Sequence, residues 1–231
     1  MTTATTWTDA TVAALAPLAC PPDAAAMQAY MKDVAPFLGI TTPERRRALR
    51  SAWSGLAVLD PGDVTDVVRN LWSLPEREYQ YAACDVIARH ARVLAGGFVA
   101  DPVQDLLTTR PWWDTVDSLG SVAVTPLVAR DPQQVGLMWS WLDSGDRWLI
   151  RAAIQHQRGL RERTDLDRLF AMCDRFAADR EFFIAKAIGW ALRDVTRWDS
   201  PAVQAFVDAH PSLSPVARRE ATRGLTRSAR P

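Results

Sequence analysis

The stretch RPWWDTVDSLG, residues 110–120, places an indole and a carboxylate at a spacing that could do chemistry. Trp113 precedes Asp117 by four residues, so on a helix the two side chains share one face, one turn apart. An indole face attracts cations by about 0.5–2 kcal/mol. A carboxylate stabilises positive charge most where water is excluded. Because a helix that only packs into a core would keep acids off its tryptophan face, the pair favours a site for a cationic group.

The competing interpretation of Trp113 is burial in a helix-packing core, where tryptophan is usually found. Trp112 points elsewhere on the helix and is expected in that core. Asp114 follows soon after Pro111, in a first turn where a carboxylate complements the helix dipole, so we expect it to be structural. Trp148, Phe182 and Phe183 are expected to pack rather than to stack on a ligand.

The elements that must position these residues are helices. A capping residue followed by proline marks a helix start, since proline loses nothing at the first helical position. Leu74-Pro75 and Arg110-Pro111 place proline similarly without the ideal cap. Between such marks, apolar residues recur at intervals of three and four, and sustained alternation at period two is hard to find. The sequence predicts an all-α fold, with six capped starts at Thr42-Pro43, Asp60-Pro61, Asp101-Pro102, Asp131-Pro132, Ser200-Pro201 and Ser214-Pro215.

An internal repeat relates several of these helices. A shift of 34 or 35 residues aligns PWWDTVDSL, SGDRWLIRAAI and ADREFFIAKAI, and superimposes Asp117, Arg151 and Lys186. This interval suits a helix pair and predicts a HEAT-like solenoid of helical hairpins, in which equivalent positions line one face. The charged row then has two interpretations: it lines a concave binding surface, or its members bond neighbouring repeats to each other.

Composition limits the function classes. The 231 residues carry 27 basic and 27 acidic side chains, so any affinity for polyanions must come from local clusters. Basic residues gather over 43–50, 147–163 and 217–230, either as solvated helix faces or as a concave basic groove for phosphates. We expect a single domain over residues 1–231, with residues 1–22 either poorly ordered or forming an added helix.

The cysteines, the N-terminal sequence and the spacing of the histidines bear on the cell compartment and on cofactors. Three widely spaced cysteines favour a reducing, cytoplasmic setting. The N-terminus lacks a positive region and carries Asp9, so a signal peptide is not expected, and no apolar run approaches a membrane span. None of the three histidines (His90, His156 and His210) has a metal-like spacing from another. We expect a monomer without membrane contact, metal or cofactor.

The motifs together resemble the AlkD-like DNA alkylation-repair glycosylases, a family built from HEAT-like repeats. The similar stretches run in the family's order from about residue 24 to about residue 225, while the first twenty residues and the arginine-rich end match nothing in it. GSVAVTPLVARDP departs most. The matching stretches are AYMKDVAPFLGITTPERRRAL, LWSLPEREYQYAACDV, RPWWDTVDS, GDRWLIRAAI, REFFIAKAIGWALRD and LSPVARREA.

The resemblance implies a glycosylase that removes cationic alkylated purines, such as 3-methyladenine and 7-methylguanine, from double-stranded DNA. It implies that Asp117 is the catalytic carboxylate, that Trp113 and Trp190 are aromatic walls, and that Arg151 is the site arginine. Tyr30 is similar to a family tyrosine that faces the DNA at the lesion. The implied phosphate contacts are Thr42, Arg46, Lys186 and Arg193.

The chemistry agrees with a site that offers one carboxylate. Alkylation makes the purine a cation, so the base departs neutral and no general acid is needed. The sugar then becomes oxocarbenium-like, and Asp117 would stabilise it. Neutral lesions such as uracil should be poor substrates. The alternative is a non-catalytic HEAT-like module that binds DNA or a protein.

Overall fold

The architecture is all-helical, as the sequence predicts. The structure, a computed structural model, describes the backbone of residues 2–228 and the side chains of residues 2–225, and over that part of the chain it has fourteen α-helices and no strand. The chain divides into two compact units, residues 1–123 and 124–231. Each unit has its own apolar core.

Unit 1 packs helices around α1, α4 and α5. Helix α4 contacts both α1 and α5, α3 contacts α1 and α5, and α5 also contacts α7. Residues 3–15 form an added helix, with Trp7 and Leu15 buried and the Trp7 ring 5.2 Å from that of Trp53. The helices are α1 Thr3–Leu15, α2 Pro21–Tyr30, α3 Thr42–Ala52, α4 Pro61–Ser73, α5 Arg77–His90, α6 Gln104–Thr108 and α7 Trp113–Leu119.

Unit 2 is organised around α12, which contacts α10, α13 and α14. Helices α12 and α14 approach closely at Gly189, where a Cβ atom would lie 2.9 Å from the carbonyl oxygen of Ala217. Only glycine allows this approach without a shift of the α14 backbone. The helices are α8 Thr125–Arg130, α9 Val135–Asp143, α10 Arg147–Gln155, α11 Leu166–Arg175, α12 Phe182–Val195, α13 Ser200–Ala209 and α14 Pro215–Ser228.

Three of the predicted capping residues act as predicted. The Asp60 carboxylate accepts the N–H of Asp63 at 2.8 Å at the start of α4. Asp131 caps the short 3₁₀ turn that leads into α9. Ser214 accepts the N–H of Ala217 at the start of α14. These bonds satisfy backbone N–H groups of the first turn that have no partner within the helix. Because they involve only neighbouring residues, the sequence alone predicts these helix starts.

At other predicted starts the capping residue differs. Thr41 rather than Thr42 precedes α3, and its N–H and hydroxyl both donate to Glu44. Asp199 rather than Ser200 caps α13, because its carboxylate accepts the N–H of Ala202. The Asp101-Pro102 start is irregular: the backbone of Asp101 is non-helical (φ −154°, ψ 123°) and breaks the helical segment over 99–103 just before α6. Pro75 and Pro111 each lie two residues ahead of their helices.

The predicted repeat is visible in polar contacts that join residues about one repeat apart. Arg147 donates to Glu181 at 3.3 Å and Lys186 donates to Glu220 at 2.7 Å, each across 34 residues. In unit 1, Arg77 pairs with Asp114 across 37 residues. Of the predicted row of charges, Lys186 bonds a neighbouring repeat in this way.

No single helix among the described residues is both long and apolar enough to cross a membrane. One consecutive pair, Thr3–Leu18 with Pro21–Tyr30, meets the length and composition test jointly but bends by 105° between its parts.

Candidate active site

Helix α7 presents Trp113 and Asp117 on its partly exposed side. Thr115, Val116 and Leu119 point into the core of unit 1 and are buried, whereas Trp113 and Asp117 are half-buried. The four-residue spacing predicted a shared face, and the burial pattern of the helix agrees with it. The Asp117 carboxylate is therefore not enclosed in the hydrophobic interior of its unit.

Asp114, on the same helix, has a structural role. Its carboxylate is 6% exposed, forms a bidentate pair with Arg77 at 2.6 and 3.0 Å, and also accepts the hydroxyl of Tyr81. Burial and the charge of Asp114 raise the pKa of Tyr81, which stays protonated and donates. Asp114 has the structural role that was predicted. The helix dipole was the expected cause, and the structure adds a second one, the pair with the buried Arg77. Trp112, at the N-cap of α7, is half-buried rather than fully in the core.

Unit 1 also carries three of the predicted DNA-contacting residues. Tyr30 ends α2 and is 71% exposed. Thr42 is the exposed first residue of α3, where backbone N–H groups point out of the helix. Arg46 lies one turn further along α3, with its side chain 57% exposed and its Nε donating to Asp85 at 3.1 Å. All three side chains can be reached from solvent.

In unit 2, four cations surround the half-buried ring of Trp190. The charged groups lie 5.0 Å (Arg151), 5.5 Å (Arg158), 5.6 Å (Lys186) and 5.9 Å (Arg193) from the ring centroid. Three of these cations were predicted for the site; Arg158 was missed, although it belongs to the basic run over 147–163. The indole ring attracts each of these cations, and together the four positive charges attract anions.

Arg151 is the most buried of the four, at 1% exposure. Its Nη1 donates at 2.8 Å to the carbonyl oxygen of Phe183, which fixes the guanidinium between α10 and α12. Phe183 also packs on Trp148, with ring centroids 4.7 Å apart, as predicted for both residues.

Phe182 packs edge-to-face on Phe183, with ring centroids 5.4 Å apart, but it is 52% exposed and its ring also lies 5.6 Å from the Nζ of Lys186. Consecutive helix residues point about 100° apart, so only one of the two phenylalanines can face Trp148. Phe183 occupies that position.

Glu220 on α14 is a second site residue that sequence reasoning missed. Its carboxylate is 2% exposed and accepts from Lys186 at 2.7 Å, Arg193 at 2.8 Å and Arg223 at 3.1 Å. Burial acts to raise the pKa of Glu220, but the bond and charge of Lys186, with the two arginines, hold that pKa below its ordinary value. The sequence does carry a signal, because Glu220 follows Lys186 by one repeat length.

The remaining titratable groups do not form another reactive site in the described part of the chain. Over residues 2–225 no three His, Cys, Asp or Glu side chains gather as metal ligands would. Burial raises the pKa of the Cys84 thiol to about 12 and lowers that of His156 to about 4. A protonated thiol and a neutral buried imidazole are poorly suited to nucleophilic or acid catalysis.

Comparisons with known proteins show which family the chain belongs to. The family model described as "DNA alkylation repair enzyme" matches residues 11–225. A solved structure of a predicted DNA alkylation repair enzyme from Enterococcus faecalis is similar, with a TM-score of 0.81 and 28% identity over 88% of this chain and 94% of that one. No curated protein matches. The chain belongs to the AlkD-like family of DNA alkylation repair enzymes.

Proposed function

We propose that the chain is a DNA glycosylase that excises cationic alkylated purines, of the 3-methyladenine and 7-methylguanine type, from double-stranded DNA. The observation that carries the proposal is the Trp113–Asp117 pair on the partly exposed side of α7, in a member of a family that repairs alkylated DNA. The pair joins a cation-attracting ring to a carboxylate, which is what a cationic base on a sugar requires.

In the proposed reaction, the bond between C1′ and the purine nitrogen breaks and its electron pair goes to the base. The base leaves uncharged, because alkylation had already made it a cation. Positive charge develops at C1′ and the ring oxygen, where the Asp117 carboxylate stabilises it. Water adds to C1′ and loses a proton to the carboxylate or to solvent. The products are the free base and an abasic site.

The cations of unit 2 are proposed to bind the DNA backbone. The four positive charges around Trp190 would repel a cationic base. Phosphates of the DNA backbone would offset that repulsion, so we assign Lys186 and Arg193 to phosphates. Arg151 is 1% exposed and fixed by Phe183, so we propose that it acts indirectly, by supporting the ring of Trp190 that lies 5.0 Å from its guanidinium. Tyr30, Thr42 and Arg46 are proposed to supply the corresponding contacts from unit 1. The reaction uses only water, and we propose a monomer that acts in the cytoplasm.

The test is release of free base from duplex DNA treated with a methylating agent. The proposal predicts that wild-type protein releases 3-methyladenine or 7-methylguanine and leaves uracil in place, because an uncharged pyrimidine departs as an anion unless an acid protonates it. Efficient uracil excision would contradict the charge argument. Tight binding without any release would instead identify a DNA-binding module.

A further inference from the structure

Arg77, the first residue of α5, directs four of its five N–H groups to the start of α7 and to the segment just before it. The side chain is fully buried, and all five N–H groups are engaged. Nε and Nη2 bind Asp114 at 3.0 and 2.6 Å, and Nη2 also donates to the hydroxyl of Thr115 at 3.0 Å. Nη1 donates to the carbonyl oxygen of Arg110 at 2.9 Å and to Gln80 at 2.5 Å. One guanidinium therefore fixes both the first turn of α7 and the segment before it.

The segment before α7 has a conformation that needs such support. Arg110 has a φ of 49°, a left-handed conformation that non-glycine residues rarely adopt. Its own guanidinium donates at 2.9 Å to the carbonyl oxygen of Leu74, just before α5. Arg110 thus ties the turn before α7 to the start of α5 in two ways. Its carbonyl oxygen accepts from Arg77, and its side chain donates to the carbonyl oxygen of Leu74.

Glu78, the next residue, holds a second part of unit 1. Its carboxylate, also fully buried, accepts the backbone N–H groups of residues 38–40 at 2.9, 2.9 and 3.0 Å. These residues lie between Tyr30 at the end of α2 and Thr42 at the start of α3. Two consecutive side chains of α5 therefore fix both chain segments of unit 1 that carry predicted site residues.

We infer that Arg77 is a positioning residue for base excision: it sets the orientation of α7 and thereby where Trp113 and Asp117 meet the lesion. The inference rests on the proposed function. Arg77 is too deeply buried to touch DNA, so its effect must pass through Asp114, Thr115 and Arg110. Misplacing a catalytic group by about 1 Å costs on the order of 100-fold in rate, so a loosened α7 should impair the chemical step far more than DNA binding.

The first measurement is hydrogen exchange in the protein without DNA, which is independent of any activity. In Arg77→Met, the amides of residues 113–119 are expected to exchange at least about tenfold faster than in wild type, because local opening of α7 no longer has to break the four bonds from Arg77. Val67→Ala, in the buried core of α4, is the matched control for lost stability. It should raise exchange in α7 no more than elsewhere in unit 1.

The second measurement is the rate of 7-methylguanine release in single turnover with saturating protein, beside the affinity for duplex DNA. Arg77→Met should slow release by roughly 10- to 100-fold and leave affinity within about threefold. Arg77→Lys keeps the buried charge but cannot make the forked contacts. Its release rate should lie between those of Arg77→Met and the wild type. Val67→Ala should release at the wild-type rate once corrected for the folded fraction.

Unchanged exchange across α7 in Arg77→Met would overturn the inference, as would a loss of release in Val67→Ala equal to that in Arg77→Met. If Arg77→Met does not fold, Arg77→Lys decides by the same exchange measurement. Failure of the wild-type protein to release any methylated base would defeat the proposed function instead. The exchange result would still show whether Arg77 holds α7.

Discussion

Replacing Glu220 by glutamine should destabilise the protein by about 3 kcal/mol. The substitution keeps size and one acceptor but removes the charge that binds Lys186, Arg193 and Arg223. A hydrogen bond to a charged group contributes about 1.5–3 kcal/mol and a neutral one about 0.5–1.5. The two shorter bonds are those from Lys186 and Arg193. Glutamine would accept one of them more weakly and turn its NH₂ group toward the other cation, and the two effects together cost about 3 kcal/mol. The penalty stays at the low end of the roughly 3–5 kcal/mol for breaking a buried pair, because the cations can reach water.

Urea unfolding at low and high salt, with Asp143→Asn as the matched control, measures this effect. Asp143 pairs with Arg175 in the same unit, but its side chain is 60% exposed, so its loss should cost below about 1 kcal/mol. The Glu220→Gln loss should persist at 1 M NaCl, since buried pairs are little screened. A loss no larger than that of Asp143→Asn, or one that disappears in salt, would refute the assignment of Glu220 as the buried anchor of these cations.

Two further predictions concern pH and salt. Burial lowers the pKa of His156 from 6.5 to about 4, so over that interval only the unfolded chain binds the proton, and stability falls as the pH falls. His156 should account for about 2 kcal/mol of the stability lost between pH 7 and pH 5. Urea unfolding at both pH values should show that His156→Phe loses less stability than wild type by this amount. An equal loss in the variant and the wild type would contradict the expectation. Arg46→Ala and Arg193→Ala should each lower the slope of log affinity for DNA against log salt by about 0.9, without regard to DNA sequence. An unchanged slope, measured by titration, would remove that residue from the phosphate contacts.

Local geometry explains what could be predicted from the sequence. The Trp113–Asp117 relation needs only a helix, and the Asp60 cap needs only its own first turn, so both are fixed within a few residues. Which of Phe182 and Phe183 faces Trp148 depends on how α12 is rotated against α10, and the sequence spacing of neighbouring residues does not determine that rotation.

The partners that hold the site come from distant parts of the chain. Arg77 lies 37 residues before Asp114, and Lys186 lies 34 residues before Glu220. The repeat length predicts that such positions are neighbours, but it does not say which charges pair across repeats and which face a ligand. Buried pairs of this kind become apparent only once the packing is known.

The central claim is that the Asp117 carboxylate stabilises positive charge on the sugar of an alkylated nucleotide. Single-turnover release of 7-methylguanine by Asp117→Asn tests it most directly, beside Asp105→Asn, an exposed acid that pairs with Arg69. We expect Asp117→Asn to release the base about 100- to 1,000-fold more slowly, the usual effect of removing one electrostatic stabiliser, with DNA affinity retained and the Asp105 variant unaffected. Release by Asp117→Asn at the wild-type rate would contradict it.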